Sequence, residues 1–262
     1  MSERSILLTN DDGIESVGFR ALYDDLSEFA DVTAVAPATD QSAVGRKMSS
    51  DAIVTEHELG YALEGTPADC TVAGLEALCP DVDMVVSGIN KGANIGAYVL
   101  GRSGTVSAAV EAAFFDVPAI AVSMYIPTDG DVPWRELATD PRDYREATHA
   151  ASYLVKHAEA AGVFNQCDYL NVNAPMRAGD EPADMKVTVP SELYDMTAEY
   201  ENGTVRLHDR IWKRMESGDI PDPDGTDRRA VIDGNVSVSP LTAPHSTQHH
   251  EALDALAETY LE

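Results

Sequence analysis

Residues 5–29, with the sequence SILLTNDDGIESVGFRALYDDLSEF, place a short apolar run before a polar turn and an amphipathic segment. Residues 6–8 predict a buried strand, and residues 10–13 supply the turn that follows it. Apolar side chains then recur at positions 19, 22, 26 and 29, a spacing of three and four that predicts a helix. A buried strand followed by a helix is the repeating unit of a parallel sheet covered on both faces.

The same alternation continues through the first two thirds of the chain. Further strands are predicted over residues 32–37, 84–88, 119–123 and 169–173, and further helices over residues 67–78, 106–115 and 144–160. Thr66 is the expected N-cap of the helix that begins with Pro67. The sequence therefore predicts an α/β fold with a doubly wound, Rossmann-like, mainly parallel sheet.

The chain changes character after Pro175, where it becomes polar and rich in glycine and proline. Alternating segments at 186–190, 204–212 and 235–239 predict antiparallel hairpins, and residues 251–261 predict a final helix. We expect an α/β core over residues 1–180 and a hairpin-rich extension over residues 181–262. The two would form one functional unit, with the extension used in oligomerisation.

The chain of 262 residues carries 45 acidic and 18 basic side chains, a formal net charge of −27. So negative a surface repels phosphate backbones and anionic membranes, which argues against binding to nucleic-acid duplexes or to a membrane. The acid is spread along the whole chain. It fits either a generally acidic protein or, as we favour, adaptation to high salt, where screening cancels self-repulsion.

Three cysteines and the absence of a CxxC motif argue against a disulfide scaffold. No apolar stretch approaches the roughly 20 residues that span a bilayer, and the N-terminal apolar run is too short for a signal peptide. These features predict a cytoplasmic protein. Cys70 lies in a predicted helix and is expected to be a small core residue.

Oxygen-bearing side chains follow the predicted strands. Asp11 and Asp12 follow the first strand, Ser42 follows the second, and Asn90 follows the third. Two adjacent carboxylates in a partly buried turn need a compensating positive charge, and oxygen ligands favour Mg²⁺, Mn²⁺ or Ca²⁺. The alternative is that an aspartate caps the next helix, which for this pair alone would be the commoner role.

A second signal is RSGT at residues 102–105, which opens an alanine-rich helix. Hydroxyl groups and free backbone amides at a helix N-terminus favour a bound phosphate. The alternative is that Thr105 only caps the helix. The sequence has no GxxxxGK[ST], GxGxxG or GxSxG motif, which disfavours a P-loop, a dinucleotide fold and an α/β-hydrolase.

Taken together these segments resemble the SurE family of stationary-phase survival proteins. The acidity of the whole chain suggests a halophilic source. The matching stretches are LTNDDGI (8–14), VAP (35–37), QSA (41–43), GTPADC (65–70), SGINKGAN (87–94) and SGTVS (103–107), with a weaker match at 226–227 and 234–240. The resemblance implies a metal-dependent hydrolase of nucleoside 5′-monophosphates, with 3′-monophosphates as a further substrate class. It also implies one divalent cation per subunit, Mg²⁺ or Mn²⁺, and a homodimer or tetramer.

The resemblance also implies roles for individual residues. The metal ligands would be Asp11, Asp12, Ser42 and Asn90. The residues that correspond to the family's phosphate contacts are Asn94, Ser103, Gly104 and Thr105. Asn10 in the first turn and Arg102 beside Ser103 are further candidate contacts of the substrate phosphate, and Arg102 is one because of its positive charge. Asp11 is the expected base or nucleophile, either by direct attack or by activation of water, and Asn90 is the second expected catalytic residue.

The loop GAYVLGR at residues 96–102 departs from the family pattern. It is one residue longer, lacks an aspartate that family members usually have, and places Arg102 before Ser103. His245, His249 and His250 are expected to be solvent-exposed and not metal ligands. Two other functions compete with a phosphomonoesterase, namely a non-catalytic nucleotide-binding regulator and an acidic scaffold protein.

Overall fold

The computed structural model describes residues 4–127, 132–177, 181–243 and 251–258. The strands within these residues are β1 (Arg4–Thr9), β2 (Ala30–Pro37), β3 (Val54–His57), β4 (Gly60–Leu63), β5 (Met84–Lys91), β6 (Ala119–Tyr125), β7 (Tyr169–Pro175), β8 (Met185–Val187), β9 (Met196–Glu201), β10 (Thr204–Asp209) and β11 (Val236–Leu241). The helices are α1 (Val17–Ser27), α2 (Pro67–Ala73), α3 (Ala97–Leu100), α4 (Gly104–Phe114), α5 (Arg145–His157), α6 (Arg210–Ser217), α7 (Asp227–Ile232) and α8 (Glu251–Glu258).

Nine strands form one sheet in the order β3-β4-β2-β1-β5-β6-β7-β11-β8. The pairs of β1 with β2, of β1 with β5, of β5 with β6 and of β6 with β7 are all parallel. The predicted doubly wound, mainly parallel α/β fold is confirmed. The predicted helix over 67–78 is also present, since α2 runs on into a π-helical turn at Gly74–Leu78 and Thr66 caps it by accepting from the amide of Asp69.

Helices cover both faces of the sheet. Phe19 of α1 and Ala151 of α5 belong to one buried apolar cluster with Ile6 and Leu8. Val106 of α4 belongs to a second cluster on the opposite face, together with Cys70 and Leu7. Neighbouring residues of β1 therefore point into different layers, as expected for a strand buried on both sides.

The chain direction across the sheet reverses between β1 and β5. From β1 the chain moves to β2 on one side, and it later returns to place β5 on the other side. Thr9 at the end of β1 lies opposite Ser87 of β5. In open α/β sheets such a reversal leaves a crevice at the carboxyl ends of the two strands, where ligands bind.

The C-terminal region contributes to the main sheet. β11 pairs antiparallel with β7, and β8 pairs parallel with β11, so segments predicted as hairpins extend the central sheet. A separate hairpin is formed by β9 and β10 around Asn202-Gly203, both at positive φ, as two-residue hairpin turns require.

Some predicted boundaries were wrong. The segment predicted as strand over 204–212 leaves the strand at Asp209, whose side chain accepts from the amide of Ile211 and starts α6. Trp212 therefore lies in a helix. The pair β3 and β4 was not predicted. Among the described residues no helix has both the length and the apolar character needed to cross a membrane.

Candidate active site

A cavity of about 520 Å³ opens at the reversal point between β1 and β5. Six of the residues predicted from the sequence line it, namely Asp11, Ser42, Asn90, Asn94, Arg102 and Ser103. They come from four separate segments of the chain. The fold thus brings together side chains that the sequence places up to about 90 residues apart.

Asp11 and Asp12 lie in the turn that follows β1. Asp11 is 3% exposed and accepts a hydrogen bond from the hydroxyl of Thr105 at 2.6 Å, and burial raises the pKa of its carboxyl. Asp12 accepts from the backbone amide of Lys91 at 2.7 Å. Burial, and next the negative charge of Asp11, raise the pKa of Asp12 to about 7.

Neither aspartate caps a helix, because α1 starts at Val17 with Ser16 in the N-cap position. The capping alternative therefore does not describe this turn. Two neighbouring carboxylates whose ionisation is opposed by burial and by each other are stabilised when a cation binds between them. The donor set of this turn fits a hard divalent cation.

Ser42 and Asn90 bring two more oxygen atoms to the same cavity. Ser42 is exposed, its hydroxyl donates to Oδ1 of Asp40 at 2.6 Å, and the amide of Gln41 donates to the carbonyl of Asp11 at 2.7 Å. The Nδ2 of Asn90 donates to the carbonyl of Gly92 at 2.5 Å, which leaves Oδ1 as the atom that can accept or ligate.

Within the described part of the chain, no three His, Cys, Asp or Glu side chains gather as a metal site. A cation bound by Asp11 and Asp12 would therefore complete its coordination with neutral oxygens, as the predicted set of four residues supplies. Asp12 is not among the residues that line the cavity, and it is half-buried, as is Asn90.

The N-terminus of α4 packs directly against Asp11. Ser103 caps the helix by accepting from the amide of Val106 at 3.0 Å. Gly104 leaves no room for a side chain, since a Cβ there would lie 2.7 Å from Cβ of Asp11 and 3.0 Å from Cγ of Pro67. The helix terminus and the carboxylate therefore form one rigid unit.

Three of the residues predicted to contact phosphate lie behind the cavity wall. Thr105 is fully buried, and its hydroxyl is engaged by Asp11. Asn10 is fully buried, and its Nδ2 donates to the carbonyl of Gly13 and the hydroxyl of Ser16. The side chains of Thr105 and Asn10 and the backbone of Gly104 support the turn that carries Asp11. Asn94, Arg102 and Ser103 line the cavity.

The altered loop before Ser103 is organised by Tyr98. Two guanidinium groups contact the Tyr98 ring, that of Arg102 at 5.1 Å and that of Arg228 at 5.5 Å from its centroid. Its hydroxyl donates to Oδ2 of Asp209 at 2.6 Å, at the end of β10. Cation–π contacts of this kind hold a guanidinium in place without neutralising its charge, so Arg102 stays available to an anion.

The other end of this loop is fixed by Asp227, which is fully buried. Its carboxylate accepts from the backbone amides of Gly96 at 2.7 Å and Ser191 at 2.9 Å. The neighbouring Arg228 is also fully buried, donates to the carbonyl of Leu193 and lies 3.4 Å from Asp222. The weak sequence match at 226–227 therefore marks a supporting contact of the site.

The loop that carries Asn94 is held by asparagines of β7, which sequence reasoning missed. Oδ1 of Asn173 accepts from the amide of Asn94 at 2.8 Å, and Nδ2 of Asn171 and of Asn173 donate to its carbonyl. Nδ2 of Asn94 donates to the hydroxyl of Ser123. The sequence did carry a signal, namely two asparagines at alternate positions of a strand predicted to be buried, because buried side-chain amides need hydrogen-bond partners.

Four more residues that line the cavity were also missed. They are Tyr125 at the end of β6, Trp134 in a 3-10 turn, and Trp212 and Glu216 of α6. No local pattern connects these residues, which meet only after the chain folds. We refer to these four residues as the aromatic wall.

Cys70 is fully buried, and burial raises the pKa of its thiol, as expected for a core residue and not for a nucleophile. His245, His249 and His250 lie outside the described residues.

Comparison with known proteins agrees with this geometry. The family described as Survival protein SurE matches residues 6–195 of the chain. Proteins named 5′-nucleotidase SurE from Haloquadratum walsbyi and Haloarcula marismortui are each 67% identical, and the alignments cover 100% and 99% of this chain and 99% and 96% of those proteins. The crystal structure of the SurE protein from Aquifex aeolicus has a TM-score of 0.76 at 28% identity, covering 98% of this chain and 99% of that one.

Proposed function

The chain belongs to the SurE family and is a 5′-nucleotidase, and we propose that it uses one divalent cation per subunit to hydrolyse nucleoside 5′-monophosphates. We extend the proposal to 3′-monophosphates as a second substrate class. The observation that supports it is the pair of adjacent carboxylates Asp11 and Asp12, of which Asp11 packs against the N-terminus of α4 and Asp12 accepts from the amide of Lys91. A protein that only bound anions would gain nothing from two carboxylates beside a phosphate.

The cation would be held by Asp11, Asp12, Ser42 and Asn90, and their oxygen donors favour Mg²⁺ or Mn²⁺. When bound, the cation would neutralise charge on the phosphate oxygens. The pKa values of both aspartates are raised in the protein alone, so a cation would also favour their ionised forms.

The phosphate would lie between Arg102, Asn94 and the capped N-terminus of α4. Arg102 supplies the positive charge, and the helix terminus supplies aligned amide dipoles. Thr105 occupies Oδ1 of Asp11 and fixes the orientation of that carboxylate. Asp11 is the proposed base or nucleophile, with Asn90 beside it, and direct attack and activation of water both remain compatible with its position.

A panel of nucleoside 5′- and 3′-monophosphates, assayed for released phosphate with and without EDTA, tests the proposal. We expect release that EDTA abolishes and that Mg²⁺ or Mn²⁺ restores. Asp11→Asn should remove turnover while the melting temperature stays near that of the wild type, because the change deletes charge and keeps volume. Nucleotide binding without turnover in the metal-loaded protein would instead favour a non-catalytic regulator.

We also propose that the chain forms a homodimer or tetramer through the β9–β10 hairpin. Tyr200, Val205 and Leu207 are exposed on this hairpin, and a two-stranded hairpin is only marginally stable alone. Leu207→Asp should lower the mass found by sedimentation at high salt. An unchanged mass would argue against this interface.

We expect the enzyme to work in the cytoplasm. Cys70, Cys79 and Cys167 are all free, as is usual in reducing compartments.

A further inference from the structure

The aromatic wall lines the same cavity as Asp11 and Ser103 and is built from three elements of the fold, namely the end of β6, a 3-10 turn and α6. The protein has two tryptophans, and both line this cavity. Tryptophan is a large, rigid side chain that is normally buried or used in binding. Finding both at one cavity indicates that the wall receives a flat apolar group.

The wall is held in position at both ends. The indole of Trp134 packs over Gly92, where a Cβ would lie 3.6 Å from Cζ2 of the ring and 3.8 Å from Nδ2 of Asn90. Trp212 packs on a separate buried cluster that includes Ile95 and Ile211. Trp134 is nevertheless 46% exposed, so a broad part of its surface is left for a ligand.

The size of the cavity also calls for more than a phosphate. Its volume of about 520 Å³ lies within the roughly 300–1,000 Å³ of sites that enclose whole small molecules. The proposed phosphate contacts use only the residues of this cavity near Asp11 and Ser103. The remaining space, bounded by the aromatic wall, is suited to a ribose and a base.

Glu216 gives the wall a chemical preference. Its side chain is exposed at the cavity, and among the described residues no hydrogen bond or ion pair engages its carboxylate. A carboxylate repels a phosphate, so it favours a nucleotide only where the base offers N–H donors. Guanine presents two adjacent donors, N1–H and the 2-amino group, which match the two oxygens of a carboxylate.

The other bases match less well. Adenine and cytosine each place one amino group beside a ring nitrogen that accepts, and uracil places one N–H between two carbonyl groups. We propose that the aromatic wall stacks on the nucleobase and that Glu216 selects guanine nucleotides. This inference rests on the proposed function, since it assigns the substrate class of the same site.

The test compares kcat/KM for GMP, AMP and ribose 5-phosphate, which lacks a base, in the metal-loaded enzyme. The variants are Glu216→Gln and Trp212→Leu, and Glu76→Gln is the control because Glu76 is exposed outside the cavity and its loss changes net charge equally. Quenching of tryptophan fluorescence by guanosine and adenosine provides a measurement independent of turnover.

We expect GMP to exceed AMP by about tenfold or more, as one charge-assisted hydrogen bond allows. Glu216→Gln should remove that preference, and Glu76→Gln should keep it. Trp212→Leu should lower kcat/KM for both nucleotides and leave kcat/KM for ribose 5-phosphate unchanged. Guanosine should quench the fluorescence more strongly than adenosine.

Equal use of GMP and AMP by the wild type, or a preference that survives Glu216→Gln, would overturn the role of Glu216. If ribose 5-phosphate were hydrolysed with the same kcat/KM as the nucleotides, the proposed stacking of the base on the aromatic wall would be wrong. If no substrate released phosphate, the proposed function would fail instead, and quenching by guanosine would still decide the base site.

Discussion

Replacing Gly104 by alanine should damage turnover through one added methyl group. Gly104 is the first residue of α4, and its Cα faces the carboxylate of Asp11. A Cβ at this position would lie 2.7 Å from Cβ of Asp11 and 3.0 Å from its Oδ2. The backbone of the helix and the turn cannot both stay where they are.

The size of the effect follows from these distances. Ordinary contact begins at 3.4 Å, so Asp11 or the helix must move by about 0.7 Å. Since a misplacement of about 1 Å in an active site can cost about 100-fold, we expect kcat to fall by roughly 10- to 100-fold. Overpacking of this kind lowers the free energy of unfolding by about 1–3 kcal/mol.

The matched control is Gly101→Ala, three residues earlier. Gly101 has right-handed helical backbone angles, and a Cβ there would meet nothing within 4 Å. Both variants should be assayed for phosphate release from a nucleoside monophosphate and for melting temperature. If Gly104→Ala kept wild-type kcat, or if Gly101→Ala lost as much, the position of Asp11 against α4 would not govern the reaction.

Four further outcomes are expected. Without divalent cations, the free energy of unfolding should fall by on the order of 3 kcal/mol as pH rises from about 4 to 7, because the pKa of Asp12 is about 7 in the folded protein and 3.8 otherwise. Thermal melts in EDTA should show this fall, and added Mg²⁺ should raise the melting temperature more at pH 7.5 than at pH 5. Arg102→Ala should raise KM more than it lowers kcat, and steady-state kinetics with the opposite split would remove Arg102 from substrate capture. Arg228→Met should lower the free energy of unfolding, measured by denaturant titration, by about 3–5 kcal/mol, since it leaves Asp222 buried without its partner. Arg229→Met, at the more exposed neighbouring position, is the control and should change this free energy little. Dilution from about 3 M to about 0.05 M KCl should lower the melting temperature, because the screening length grows several-fold at a net charge of −27, and a flat curve would mean that the acidity is not a salt adaptation.

The sequence predicted those parts of the fold that depend on local pattern. Apolar runs such as residues 6–8 and 84–88 became central strands, and the polar residues that follow them met at one edge because the carboxyl ends of parallel strands share that edge. Asp11 and Asn90 were predicted as cavity residues for this reason, and Ser103 was predicted from the RSGT stretch at the start of α4.

Other features depend on packing between distant segments. The sequence did not show that the Thr105 hydroxyl would donate to Asp11, since a hydroxyl at a helix N-terminus can equally cap the helix or contact an anion. Trp134 and Trp212 are 78 positions apart and meet only through the placement of α6. The strands β8 and β11 are short and lie in polar sequence, so their entry into the main sheet has no strong periodic signal.

The position of Tyr98 has a consequence if the β9–β10 hairpin is the subunit interface that we propose. Its hydroxyl holds the end of β10, and its ring holds Arg102 at the cavity. Two side-chain contacts thus connect the hairpin to the guanidinium of Arg102, which lines the cavity. If a second subunit binds the hairpin, subunit association and nucleotide binding become linked equilibria. Nucleotide binding then raises the association constant of the subunits by the same factor as association raises the affinity for the nucleotide.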